Sequence, residues 1–205
     1  MNNPIKDRDL NAILRFPDVI SWSSLNAFTD YDKDEWFNSY VLGIRKPPNA
    51  IMQGGIDVGE RIIDDPTFLP SIPRGGIFEQ EFFAMLGKIK ITGHLDNYFH
   101  EIGIDEFKTT SNPKRWTQKA VDNWGQITFY CLLVWLNHKI PPEKLRLRLY
   151  AIPMKEDGNF TIVQKGEPAC FHTKRSMTDI LKFAVYIKAV HKEMVEYCRQ
   201  KGYDI

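Results

Sequence analysis

An α/β fold with a central mixed sheet flanked on both faces by helices is predicted by the order in which sequence patterns succeed one another. Three observations carry it. Helix-period segments open and close the chain, three consecutive β-rich segments occupy residues 76–110, and an apolar helix-period stretch from about Pro113 to His138 is followed by further strand-like runs. No repeat, low-complexity tract or linker interrupts the 205 residues, so one domain is expected, with a helical part over about 1–70 and a core over about 76–200.

The elements follow in order. Ser23 or Ser24 can cap a helix reaching about Tyr40, with Leu25, Phe28, Trp36, Phe37 and Tyr40 as its apolar stripe and Gly43 as its breaker. The loop "IRKPPNA" leads to a second helix over about Ile51 to Ile63, ending before Pro66. "IFEQEFFAML", "KIKITGHLDNYF" and "GIDEFKTT", separated by Gly87-Lys88 and His100-Glu101-Ile102, read as an antiparallel meander. A long helix starts near Pro113 and closes at "NHKIPP", and "LRLRLYAIP" and "NFTIVQKG" supply one or two strands. The last helix runs from about Lys174 to Gln200.

Composition narrows the class. With 27 Lys and Arg against 26 Asp and Glu, the net charge of +1 carries no global signal for nucleic acid, so any such binding rests on local patches. Cys131, Cys170 and Cys198 are odd in number and far apart, against a disulfide framework or zinc knuckle, and a reducing cytoplasm is the expected compartment. The segment "MNNPIKDRDL" lacks a signal-peptide core, and no apolar run approaches the ~20 residues of a membrane span.

The chemistry concentrates in "GHLDNY" and "IDEFKTT". On a strand Glu106 and Lys108 share a face, while Phe107 and Ile104 are read as pointing to the other, toward the core. A short turn near Glu101 sets Asp96 opposite Glu106, give or take a residue. Like charges paired across strands repel at a Cβ separation of about 4.5–5.5 Å. A divalent cation offsets that repulsion, and Mg²⁺ favours one or two carboxylates, waters and phosphate oxygens. Lys108 can hold a phosphate and stabilise charge developing in a displacement at phosphorus. Exposed acids and lysines on a sheet face are nevertheless common, so spacing alone leaves a solvated surface as the simpler reading.

In their order, Gly93-His94-Leu95-Asp96, Glu106-Phe107-Lys108 and Gln126 with Tyr130 resemble the motifs of the PD-(D/E)XK nuclease superfamily, in its RecB-like and Cas4-like exonuclease branch. The likeness runs over roughly residues 20–190 and includes "SWSSLNAF" and "FNSYVLGIR" near its start. It implies a restriction-endonuclease-like αβββαβ core. It also implies Mg²⁺ or Mn²⁺ held by Asp96, Glu106 and the Phe107 carbonyl, with Lys108 assisting the attacking water and Gln126 and Tyr130 positioning lysine, backbone and DNA. Relatives carry a histidine on the helix that here reads "GGIDVGERI"; Asp57 stands at that position, with Glu60 as competitor. Asp30-Tyr31 falls where cluster-bearing relatives have Cys-Pro, so no iron–sulfur cluster is expected.

Lys114, Arg115 and Lys119, with Trp116 and Trp124, form a candidate phosphate-contact and stacking patch. Trp116 is as readily core as platform, and core is the simpler reading of Trp124. Ser23, Arg45, Lys46, Thr109, Thr110 and Ser111 are weaker DNA-contact candidates. The expected activity is a metal-dependent deoxyribonuclease, more exonuclease than endonuclease, acting on linear duplex ends or single strands in recombination, repair or end processing, with a helicase or recombination protein as a candidate partner. The alternative is a catalytically silent DNA-binding subunit.

Overall fold

The computed structural model describes residues 16–158 and 162–203. The "MNNPIKDRDL" segment and the first residues of "NFTIVQKG" lie outside them. The helices are α1 (Trp22–Asp30), α2 (Lys33–Trp36), α3 (Ala50–Asp64), α4 (Gln118–Asp122), α5 (Gly125–His138) and α6 (Met177–Gln200). The strands are β1 (Ile20–Ser21), β2 (Ile77–Leu86), β3 (Ile89–Phe99), β4 (Gly103–Thr110), β5 (Arg146–Glu156), β6 (Ile162–Gln164) and β7 (Ala169–Thr173), joined in one mixed seven-stranded sheet.

The expected meander is present. β2 and β3 join through the two-residue Gly87-Lys88 turn, with Leu86 paired to Ile89 and Gly87 at φ 69°. β4 pairs antiparallel with β3 and then parallel with β5 over its whole length, so the chain crosses over through α5 before β5. β5 shows the two-fold period clearly. Leu147, Leu149 and Ala151 enter the core under α5 and α6, while Tyr150, Ile152 and Met154 join Val58, Ile62 and Phe68 beneath α3. Both sheet faces are therefore covered, α1, α5 and α6 on one side and α3 on the other.

Two expected helices are divided, and the reasons are local. Ser21, not Ser23 or Ser24, caps α1, its hydroxyl accepting from the Ser24 amide at 3.1 Å. Ser24 is buried and accepts the Trp36 indole N–H at 3.0 Å. Asp32 then accepts from the Asp34 and Glu35 amides and starts α2, because a short carboxylate competes for backbone donors and begins a helix better than it continues one. The stretch from Pro113 likewise opens as a single 3₁₀ turn, Thr117 caps α4, and α5 begins only at Gly125. A Cβ at Gly125 would stand 2.6 Å from the Trp22 ring, so the glycine lets that ring close on the start of α5. At the other end Ser176 and Asp179 form a reciprocal capping box on α6.

Candidate active site

Asp96 and Glu106 sit at a fork in the sheet. β2 runs along one edge of β3; on the other edge β1 takes Ile91 and Thr92, and β4 takes Asn97, Tyr98 and Phe99. The β3–β4 ladder ends at Asn97 with Asp105, so the next register position, Asp96 with Glu106, falls where the strands part. Asp96 stays joined to β4 through its side chain: Oδ2 accepts the Phe107 amide at 2.6 Å.

Glu106 is completely buried, its Oε1 lies 2.6 Å from Lys108 Nζ, and Oε2 has no hydrogen-bond partner. Burial, and then the Asp96 charge, push its carboxyl up to about 8, with Lys108 offsetting only part of this. Desolvation pulls the Lys108 ammonium down, but the Glu106 and Asp96 charges outweigh it and the net shift is upward. Lys108 is therefore a cation at neutral pH.

The faces of β4 differ from expectation in one respect. Ile104 lies in the core on the α5 side, the side Glu106 shares, whereas Phe107 turns to the α3 side and packs edge-on to Tyr150 at 5.9 Å. Residues two apart on a strand share a face, so the acid takes its place at the rim of the α5 core. There α5 supplies Gln126 and Tyr130, both buried, with Gln126 Nε2 donating to the Tyr130 hydroxyl at 2.7 Å. Burial, followed by the Glu106 and Asp96 charges, holds the Tyr130 hydroxyl well above its usual range. It thus remains a phenol whose own proton is available to an acceptor.

Gly93 has a steric role. A Cβ there would meet Leu133 Cδ1 and Tyr130 Cε1, each at 2.9 Å, so a glycine is needed for α5 to lie on β3 at this height. Gly93→Ala is expected to lower stability by about 1–3 kcal/mol through overpacking and to displace the Tyr130 ring, which thermal unfolding and the near-ultraviolet aromatic signal would register.

The other proposed residues are placed as follows. Asp57 is exposed on α3 and accepts from Gln53 at 2.8 Å, and Glu60 is half-buried on the same helix. The helix passes close to the end of β4, where a Cβ on Gly55 would stand 3.0 Å from Thr109 Oγ1. Thr109, Thr110 and Ser111 line a cleft of about 210 Å³ with Ile51, Met154 and Ile162. Lys114, Arg115 and Lys119 are exposed beyond the end of β4. Ser23 is exposed on α1; Arg45 lies over the Tyr40 ring, and Lys46 pairs with Glu35. Trp116 is buried, packed edge-on to Trp124 at 5.0 Å, so it is a core residue and offers no open ring to a base.

Two features escape the strand pattern. Glu79 on β2 is a further carboxylate whose charge reaches Glu106, Lys108 and Tyr130. Asp105, also fully buried, accepts from Arg148 Nε and Nη2 at 2.7 and 2.6 Å on the face of β4 away from Glu106. Nothing local separates Asp105 from Glu106; only the parallel register with Arg148 does.

Among the described residues, no three His, Cys, Asp or Glu side chains stand together as a ready-made metal cage. The donor chemistry nevertheless fits a hard divalent cation: a buried, orphaned carboxylate oxygen that also feels the Asp96 charge calls for positive charge beyond what one lysine supplies.

No protein-family model and no curated protein matches the chain. Among solved structures, a candidate exonuclease from Eubacterium rectale is similar at a TM-score of 0.61 and 12% identity, over 91% of this chain and 83% of that one. LHK-Exo, solved in complex with dAMP, is similar at a TM-score of 0.48 and 14% identity, over 89% of this chain and 92% of that one. The first likeness is one of fold: a central mixed sheet flanked by helices. No helix among the described residues is long and apolar enough to cross a membrane.

Proposed function

We propose that the chain is a Mg²⁺- or Mn²⁺-dependent DNA nuclease of the RecB-like kind, hydrolysing phosphodiester bonds at linear duplex ends or in single strands. One observation carries the reading: the buried Glu106 carboxylate, with Oε2 unpaired, lies beside Asp96 at a fork in the sheet and within 2.6 Å of the Lys108 ammonium. A solvated surface pair would not be desolvated in this way, and a structural buried pair would not leave an oxygen unsatisfied.

Asp96, Glu106 and the Phe107 carbonyl would hold the dication, with Asp57 as a candidate from α3. When bound, that ion supplies Lewis-acid polarisation of the scissile phosphate and of water. Lys108 donates hydrogen bonds to a non-bridging phosphate oxygen or to the attacking water, and its fixed positive charge favours the phosphorane-like charge distribution of the displacement. The Gln126–Tyr130 pair walls the Glu106 side of the site and keeps its polar atoms oriented. Lys114, Arg115 and Lys119, with the Thr109–Ser111 cleft, offer contacts for the strand leading away. A helicase or recombination protein is the partner proposed to deliver the strand.

The test uses purified protein with Mn²⁺ and with Mg²⁺ on 5′- and 3′-labelled linear duplex, single strands and closed circles. Linear and single-stranded DNA should shorten, circles should survive, and chelation or Asp96→Ala should stop the reaction. Intact labelled DNA under all these conditions overturns the reading.

A further inference from the structure

The helix that carries Gln126 and Tyr130 is gripped from behind by one buried cation. Arg175, in the link between β7 and α6, is 5% exposed and uses all five of its N–H groups. Nε donates to the Thr128 hydroxyl at 2.7 Å. Nη1 donates to the Thr173 hydroxyl and to the Lys174 carbonyl, each at 2.7 Å. Nη2 donates to the Val121 and Trp124 carbonyls, each at 3.1 Å. One side chain thus joins α4, the first turn of α5, the end of β7 and the approach to α6. Thr173 in turn donates to Asp122 Oδ1 at 2.9 Å, and Gln118 donates to the same oxygen at 2.8 Å, which ties α4 further into the group.

The grip falls on the side of α5 away from the acids. Trp124 and Thr128 are four residues apart and share one side of the helix; Gln126 and Tyr130, each two residues further on, stand about 200° around it. On that opposite side the Tyr130 ring lies against β3 at Gly93, three residues before Asp96, and Gln126 donates to the Tyr130 hydroxyl at 2.7 Å. The N-cap residue of α5, Trp124, makes no side-chain cap hydrogen bond, so the start of the helix is not fixed by a cap of its own. A rotation of α5 about its axis, or a slide along it, would carry the Gln126–Tyr130 pair away from Glu106. Arg175 resists both, because it holds a carbonyl and a hydroxyl one helical turn apart. Its five acceptors are all neutral oxygens, which offset the desolvation of a guanidinium less than a carboxylate does. Apolar packing joins elements at lower cost; what the planar fork adds is fixed direction.

We propose that Arg175 is a positioning residue of the site: by setting the rotation and height of α5 it aligns the Gln126–Tyr130 pair with Glu106 and Lys108, and it touches no reacting atom itself. This rests on the nuclease reading above and adds to it a residue that lies outside every motif of the sequence.

The experiment measures steady-state cleavage of 5′-labelled linear duplex with Mn²⁺ by the full chain, at a temperature where melting curves show each variant folded. Arg175→Lys keeps the charge and loses the fork. It should lower kcat by ~10- to ~100-fold with KM close to wild type, the cost of misplacing a group remote from the bond that breaks. In a Tyr130→Phe background, where the aligned hydroxyl is already gone, the same substitution should cost at most ~3-fold. An arginine that only holds the fold together would lower kcat by the same factor in both backgrounds. Thr128→Val removes a single acceptor of the same guanidinium and should show a smaller loss with the same dependence on Tyr130, so it carries the comparison if Arg175→Lys does not fold. Wild-type kcat in both variants, or equal losses in the two backgrounds, overturns the positioning role and leaves the nuclease reading intact. No cleavage by the wild type overturns both.

Discussion

Glu106→Gln is expected to lower DNA hydrolysis by on the order of 10²–10³-fold or more while making the metal-free protein more stable at pH 8.5. The two effects have one cause. The carboxylate is buried, one oxygen is unpaired, and Asp96 and Glu79 add negative charge, so its pKa moves from an ordinary 4.5 to about 8. The folded state holds this proton more tightly than the unfolded chain. Its stabilising contribution is therefore complete below pH 4.5 and disappears as the pH rises through about 8. Above that pH the folded protein carries a buried charge that Lys108 offsets only in part, which an amide does not. Lys108 loses one counter-ion in the variant but keeps Asp96. Melting temperatures measured from pH 5 to pH 9 without metal should show the wild type falling away from the variant through this window. A variant less stable than wild type at pH 8.5, or one that still cleaves DNA at the wild-type rate, would contradict the assignment.

Arg148→Ala is expected to cost about 3–5 kcal/mol of folding stability, the largest effect of any single truncation away from the acids of the site. Asp105 is fully buried and accepts two hydrogen bonds from the Arg148 guanidinium at 2.7 and 2.6 Å. Removing the arginine leaves that carboxylate desolvated, with Arg146 at 3.9 Å as its remaining cation. The pair links β4 to β5 at the Asp105–Arg148 register position, immediately before Glu106 changes sides, so it fixes the backbone from which Glu106 projects. Denaturant unfolding measures the loss. Asp105→Asn combined with Arg148→Ala should recover much of it, because the orphaned charge has gone; a single variant within about 1 kcal/mol of wild type would show the pair to be incidental.

What the sequence made legible, and what it did not, divides along the range of the interactions. The meander and its register were readable because the Gly87-Lys88 turn and the alternating strands fix pairing locally, and the same alternation brought Asp96 level with Glu106. The division of the long helices was carried by Asp32, Thr117 and Gly125, whose capping and close-contact roles compete with apolar periodicity that by itself reads as continuous. The burial of Trp116 depends on Trp124 meeting it across the short helix α4, which no one-dimensional pattern contains. Glu79 was hidden for a further reason. Strand alternation presumes negative φ throughout, and Glu79 breaks the rule at φ 52° with no glycine or asparagine at its position to announce a kink.

The unpaired oxygen of Glu106 is the centre of the account, and metal-coupled proton release tests it most directly. Metal-free protein is titrated with Mn²⁺ at pH 7 in two buffers of different ionisation enthalpy, so that calorimetry separates ion binding from proton transfer. A carboxyl protonated in the folded protein must ionise to become a ligand, so binding should release roughly one proton per ion at pH 7 and almost none at pH 9. No Mn²⁺ binding, or binding with no proton release at pH 7, would contradict it.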